Sequence, residues 1–546
     1  MGKFRRQHAK KSKRKNKKKS PLQREDGENN RRVEDEQMQA GGEAVVNDRR
    51  DEEGENDKKE KMVLLLCRDG VELVVPKEGA SRYGGTIEMD IKYDDYSSAY
   101  GRNISVPNRG YSLISLPLES DVLSIVMHYS NKKRHDPGWD AAELVGGLDH
   151  PTLFRLILGA EHLENRGLLG VACRAVADMI GGKSQRQIRA MFGIRPPPPA
   201  PDSTLQQLLL KNNTPDDHTM TTSELELEKR ALRALHIVRC QDFTAYDPKR
   251  RAFWHSRFCG YNIAFFDLDK ESSFGRGPPL CRVRELSIAS SSVNVISIKV
   301  RESDVGVPIN VFGTVIARDM IDYRCVYLFN READDSQVIT SPDDMLALMD
   351  PHRGLVPEDI IYFEINLKIK CDGGATKDFS RGLTDFNICR LREQTMTASL
   401  TTWLSRVELK IAHVPRPLEA SIAINILKGP LVLKRVAAWT SGNTEASVIL
   451  YCSEVGTGTQ MAKSGHSIAL ARRVVFVPLG EQLVLHLVGH DEDEPHVLAL
   501  GHCDDEGHRV CKMGSSELRV EVSWTVIPKR ETNDWREIVG NVWLLK

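Results

Sequence analysis

Five prolines within six positions, Pro196 to Pro199 and Pro201, divide this chain into two parts that no helix or strand can join. Consecutive prolines fix φ and remove backbone donors, so the segment is extended and ends whatever precedes it. Ahead of the break, apolar residues recur at helical spacing. Beyond it they alternate. Phe363, Ile365, Leu367 and Ile369 are separated by Glu364, Asn366 and Lys368, and Val407, Leu409 and Ile411 repeat the pattern. So do Ile422, Ile424 and Ile426, and again Leu518, Val520, Val522 and Trp524. A period of two puts one face in a core and the other in solvent, which predicts a mostly antiparallel β domain, sandwich or barrel.

The first 61 residues have neither period. Met1 to Ser20 holds eleven Lys or Arg and no acid, and residues 21 to 61 hold fourteen acids against eight bases. Too few apolar residues are present to offset the entropy of ordering, so a disordered basic and then acidic arm is expected. Lys10, Lys11, Lys13, Arg14, Lys15, Lys17, Lys18 and Lys19 read as a nuclear-import signal for an importin, giving nucleus and cytoplasm as the expected location. Aromatic residues for stacking on bases are lacking beyond Phe4, which argues against nucleic acid as the partner. The eleven dispersed cysteines suggest reduced thiols in an intracellular protein. No apolar run suits a membrane span or a secretory signal.

Residues 62 to 195 predict a small sheet followed by helices. Met62–Cys67 and Val71–Val75 flank Asp69-Gly70, a hairpin signal. Helical patterning starts near Asp121, and Pro151 suits a first helical turn capped by Asp149 or His150. Leu168, Leu169, Val171, Ala172, Ala175, Val176, Met179 and Ile180 then form a wide stripe, stopped by Gly181-Gly182. Ser184-x-x-Gln187 starts a short helix bearing Ile188, Met191 and Phe192, with Gly193 after it. Past the prolines, Ser223-x-x-Glu226 predicts the cap of a connector helix running to about Arg239, with Leu225, Leu232, Leu235 and Ile237 as its apolar stripe.

Four consecutive blocks, Trp139 to Val145, Thr152 to Leu158, Leu168 to Ile180 and Gly182 to Ile194, resemble the S-phase kinase-associated protein 1 family. These are adaptors that bridge a cullin to F-box proteins in Skp–cullin–F-box ubiquitin ligases. The resemblance implies a BTB/POZ-type α/β domain with C-terminal helices, and a scaffold without catalysis. It implies an F-box surface at Leu169, Ala172, Val176, Met179, Ile188, Met191 and Phe192, and a cullin-facing position at Glu161 and His162, where the family has Asn-Tyr. The family's last helix is replaced by the prolines and Leu205 to Leu210, and residues 79 to 113 depart from its early helix.

Blocks around Arg257 to Asp269, Phe312 to Asp319, Arg353 to Leu355, Tyr362 to Lys370 and Arg472 to Val475 look like a domain of grass proteins with no established function. The expected chain is thus a multidomain α+β protein. Its parts are an arm at 1–61, an adaptor domain at 62–195, a Pro-rich helical connector at 196–254, a β-rich domain at 255–530 and a tail at 531–546. His490, His496, His502, Cys503, His508 and Cys511 match no zinc spacing, and Asp267-x-Asp269 reads as a turn, so no metal and no cofactor is expected. No phosphate loop or activated nucleophile is evident, so neither enzyme activity nor a small-molecule substrate is expected. The alternative to the ligase adaptor is a defence- or stress-related interaction module that uses the β domain.

Overall fold

The computed structural model describes residues 61–99, 112–196, 221–280, 288–357, 359–388, 395–453, 461–462, 464–490, 495–504 and 507–529. The basic arm with its import residues, Pro197 to Pro199, Leu205 to Leu210 and the tail at 531–546 lie outside them.

Three strands open the described chain. Met62–Leu66 pairs antiparallel with Glu72–Pro76 and parallel with Ser112–Ser115. Gly70 takes a φ of 82° in the turn that Asp69-Gly70 predicts, and the Cys67 N–H donates to Val71 O at 2.9 Å across it. Among the described residues eight helices follow this sheet or interrupt it: α1 Lys77–Ala80, α2 Gly85–Ala99, α3 Ser120–His135, α4 Ala142–Gly146, α5 His150–His162, α6 Arg166–Ile180, α7 Gln185–Met191 and α8 Thr222–Asp242. A helix therefore does occupy part of the stretch 79 to 113. Asp149 caps α5, accepting from the Thr152 N–H at 3.0 Å, with Pro151 in the first turn. Ser184 and Gln187 form the reciprocal capping box of α7 that the sequence predicts.

The cap of α8 is two residues earlier than Ser223-x-x-Glu226 implied. Thr221 and Glu224 close the box instead, and Glu226 pairs with Lys229 at 3.1 Å. Both registers satisfy the same motif, and Glu224 is the one whose carboxylate reaches back to the Thr221 N–H. The buried stripe of α8 also differs from the one expected. It consists of Glu228, Ala231, Ala234, Leu235, Ile237, Val238 and Cys240, and it joins the core of α5 and α6. Alanines allow close helix approach, and Glu228 is buried because Arg195 meets it at 2.8 Å.

The β part is two sheet pairs in tandem. In the first, strands Thr376–Asn387, Ile360–Lys370, Ile309–Arg318 and Val326–Arg331 lie in that order, with Gln337–Ile339 on the third. They face Thr395–Thr402, Ser405–Pro415 and Ser291–Ser303 across a core that includes Phe363, Phe379, Val407 and Leu409. In the second, Val474–Pro478, Pro417–Lys428, Ser516–Val526 and His508–Met513 face Asn443–Cys452, Leu431–Thr440, Leu483–Gly489 and His496–Leu500. Its separate core includes Ile422, Ile424, Val436 and Val520. Every alternating run named above is a strand, and all ladders here are antiparallel.

One expectation fails within those runs. Alternation puts Glu364 in solvent, yet it is buried, because a further layer of chain covers that face of the sheet. The layer is the segment Ser256–Asp269, whose Phe258, Ile263, Phe266 and Leu268 make a small core with Cys240 of α8 and Tyr323.

Candidate partner-binding surface and the buried charge clusters

The stripe to which partner binding was assigned divides in two. Leu169, Ala172 and Val176 are fully buried in the core that α6 shares with α5 and α8. Met179, Ile188, Met191 and Phe192 are half-buried, at the edge of the same core. Phe192 has a packing task of its own: its ring meets those of Phe154 at 5.0 Å and His150 at 5.1 Å, both edge-on. Met179, Ile188 and Met191 therefore remain as the apolar edge on which an added helix can be laid. Met179 lies in the last turn of α6, and Ile188 and Met191 lie one turn apart on α7, so the three span both helices.

Segment Ser256–Asp269 ties these helices to the β part. Arg239 Nη1 donates to the carbonyls of Ile263 and Phe266, each at 2.6 Å, and Asn262 Nδ2 donates to Leu232 O at 3.3 Å. On α7, Gln185 Nε2 donates to Phe265 O at 3.3 Å, and the Arg189 guanidinium stacks over the Phe265 ring at 3.9 Å. The Ile263 N–H donates to His236 Nδ1 at 3.3 Å, which requires that nitrogen to be unprotonated. Burial, helped by His255, Arg233 and Arg239, pulls the His236 pKa down to about 4.

The sign of the linkage follows. The unfolded chain takes up the His236 proton near the usual 6.5, before the folded chain does, so the stabilisation is complete above that pH and declines as pH falls towards 4. A loss of roughly 2 kcal/mol between pH 6.5 and 5 is expected, and His236→Gln should flatten that part of a stability-against-pH curve. An unchanged curve in the variant would remove His236 from the account.

Glu161 and His162, the positions assigned to a cullin, both lie at the surface at the end of α5. His162 lines a cleft of about 320 Å³ with Arg68, Arg155, Arg230 and Arg233. The neighbouring protein partly desolvates the Glu161 carboxyl and raises its pKa, and Arg233 opposes this. The His162 imidazole shares this cleft with the four guanidinium groups and with Glu119, Glu226 and Lys229, which makes it a charged surface, unlike the amide and phenol of the resembling family.

The β part holds two clusters of buried charge. In one, Glu364 accepts from Arg318 Nε at 2.8 Å and Nη2 at 3.0 Å, from Arg257 Nε at 3.3 Å and from the Phe258 N–H at 2.7 Å. In the other, Arg353 uses all five of its N–H groups. It donates to Asp319 twice, at 2.6 and 2.8 Å, to Asp322 at 3.2 Å, to Ser272 Oγ at 2.8 Å and to Gly354 O at 2.9 Å. Tying loops to sheets is their visible task.

Asp267 Oδ1 accepts from the Asp269 N–H at 3.0 Å and Asp269 pairs with Arg257 at 2.8 Å, which makes a turn held by an ion pair. Among the described residues no three His, Cys, Asp or Glu side chains converge as metal ligands, and Asp491 to Glu494 lie outside those residues. His502 packs its ring edge-on against Trp524 at 6.1 Å. No described helix is long and apolar enough to cross a membrane.

The small α/β domain ends in helices that carry a partly exposed apolar edge. Residues 166–198 match the Skp1 family's dimerisation domain, which spans α6 and α7, and residues 292–522 match a domain of unknown function, DUF6598. A Skp1-related protein of Caenorhabditis elegans is 36% identical over 118 residues, covering 20% of this chain and 66% of that protein. SKP1-like protein 15 of Arabidopsis thaliana is 32% identical over 105 residues, 14% of this chain and 59% of its own length. SKP1-like protein 4 of the same plant is 51% identical over 57 residues, 10% of this chain and 34% of its own length. The chain thus spans between one third and two thirds of the curated relatives it matches. A likeness to human GIVD cytosolic phospholipase A2 has a TM-score of 0.18 at 7% identity over 45% of this chain and 31% of that one, too low to carry an argument. One polypeptide thus carries a stretch that matches the Skp1 family model and a longer one that matches a domain of unknown function.

Proposed function

We propose that this chain is a non-catalytic adaptor of a Skp–cullin–F-box type ubiquitin ligase, holding an F-box protein at α6 and α7 and delivering it to a cullin. The observation that carries the reading is the Skp1-family match at 166–198, falling on two capped helices that keep an apolar edge. A partner helix laid on Met179, Ile188 and Met191 buries anchors at helical spacing, which is how helix-in-groove interfaces gain affinity. Leu169, Ala172 and Val176 support that edge from within, and Phe192 fixes α7 against α5. Glu161 and His162 are the contacts assigned to the cullin, and the basic arm from Lys10 to Lys19 is assigned to an importin, which puts the protein in both nucleus and cytoplasm.

Co-purification of the full chain with an F-box protein tests this. Capture is expected, and Met179→Asp should weaken it at least roughly tenfold, because a carboxylate cannot be buried unpaired in the interface. A folded M179D variant that captures the F-box protein as well as the parent would move the interface elsewhere. No capture by the parent chain, where a Skp1 control succeeds, would sink the reading.

A second reading has one observation in its favour. Because α8 shares a core with α5 and α6, the helical region can be a folded platform for the β part, in a defence- or stress-related interaction protein outside any ligase. Rescue of a strain lacking its own adaptor would decide against it.

A further inference from the structure

Among the described residues the buried arginines are Arg318, Arg353 and Arg472, and the first two are answered. Arg353 satisfies five N–H groups, and Arg318 makes four hydrogen bonds, to Glu364 twice and to the carbonyls of Tyr323 and Leu268. Arg472 is also buried, but its guanidinium makes one hydrogen bond among the described residues, from Nη1 to Val295 O at 2.8 Å. Its Nε has no acceptor. Asp350, whose charge acts on Arg472, is already engaged, accepting from the Arg473 N–H at 2.7 Å, the Val474 N–H at 3.1 Å and Arg473 Nε at 3.5 Å. A buried cation without an anion is costly, so the arrangement is incomplete as it stands.

Arg472 lines a cleft of about 380 Å³ at the junction of the two sheet pairs. Its lining is mostly apolar, with Ile296, Leu346, Leu348, Ile449 and Leu470, and carries Asn330, Arg331, Asp335 and Tyr451 as polar residues besides Arg472. That volume lies in the range of small-ligand sites, which are mostly apolar with few polar groups to fix orientation. The other guanidinium on the lining, Arg331, is spent on Asp335 at 3.2 Å.

We propose that this cleft binds a small amphipathic monocarboxylate, its head paired with Arg472 and its apolar body laid between Leu348 and Leu470. A carboxylate suits a guanidinium because its two oxygens match the planar fork of donors, and its single charge balances the one cation in the cleft that lacks an anion. Burial pulls the Arg472 pKa down to about 10, with Asp350 opposing, so the group is still a cation at neutral pH. An apolar body suits the aliphatic part of the lining, where Ile296, Leu346, Leu348, Ile449 and Leu470 offer no partner for a polar group. This site is separate from the adaptor helices and stands or falls without them.

The test uses the full chain, with octanoate as probe and 1-octanol as the uncharged control of equal length. Octanoate should raise the melting temperature saturably, and octanol should bind at least roughly tenfold more weakly. Arg472→Met should abolish the difference between the two. The variant should remain folded, since replacing an unpaired buried charge with an apolar side chain of similar length relieves a cost. If R472M does not fold, Leu348→Trp, which fills the cleft and leaves the guanidinium in place, should abolish the octanoate response instead. No saturable response to octanoate, equal binding of octanol, or full octanoate binding by a folded R472M or L348W protein would overturn the proposal.

Discussion

Glu364→Gln is expected to destabilise the first sheet pair by about 3–5 kcal/mol, read as a lowered urea midpoint. The glutamine is nearly the same size, so the loss reports charge and not packing. Arg318 is fully buried and would keep its positive charge with only carbonyls and an amide around it. Burial by itself raises the Glu364 pKa, but the charges and hydrogen bonds of Arg318, the charge of Arg257 and the Phe258 N–H outweigh it and hold the carboxyl below its usual range. The stabilisation is therefore complete above the unfolded value, near pH 4.3, and is lost as pH falls through the lower folded value. The gap between parent and E364Q should close on acidification. A variant as stable as the parent at pH 7 would show that the cluster contributes nothing net.

Arg353→Met should be as severe, at about 3–5 kcal/mol, for the opposite reason. It leaves two buried carboxylates, Asp319 and Asp322, without their cation. Each keeps some support, Asp319 from the Val356 N–H at 2.7 Å and Asp322 from Ser272 Oγ at 2.8 Å. Those bonds do not neutralise charge. Adding Asp319→Asn to R353M should return part of the lost stability, because one of the stranded charges is then gone, so the two changes should be strongly non-additive in a thermal melt. Additive losses would show that Arg353 acts through packing alone.

Much of this architecture was legible in the residues. The hairpin at Asp69-Gly70, the cap at Asp149, the box at Ser184 and Gln187 and the alternating strands depend on local chemistry, and local chemistry is what a sequence displays. Period two reports which face of a strand is covered, not by what. That is why the pattern gave β structure but not two separate sheet pairs, and why Glu364 read as a solvent position. The docking of α8 was hidden for a similar reason: Ala231, Ala234 and a paired Glu228 carry it, while the Leu225 that looked apolar does not. Of the site, the apolar stripe was visible, yet its division into a sealed half and an open edge depends on a helix across the proline break. Arg472 was visible only as part of a block of resemblance. A solitary buried guanidinium has no local signature.

The segment Ser256–Asp269 has one face against α7 and α8 and the other against the first sheet pair. Its residues belong to a core that neither region could complete by itself, because Cys240 comes from one and Tyr323 from the other. Thermodynamically, the two regions share a subunit of cooperativity, and loosening one removes part of the interior of the other. A fragment stopping at residue 195 or 215 would lose α8 as well as this segment, and so would report on a different object. The smallest natural unit of the adaptor-like region extends beyond the prolines to about Asp269, and its boundary is set by shared interior and not by the break in the sequence.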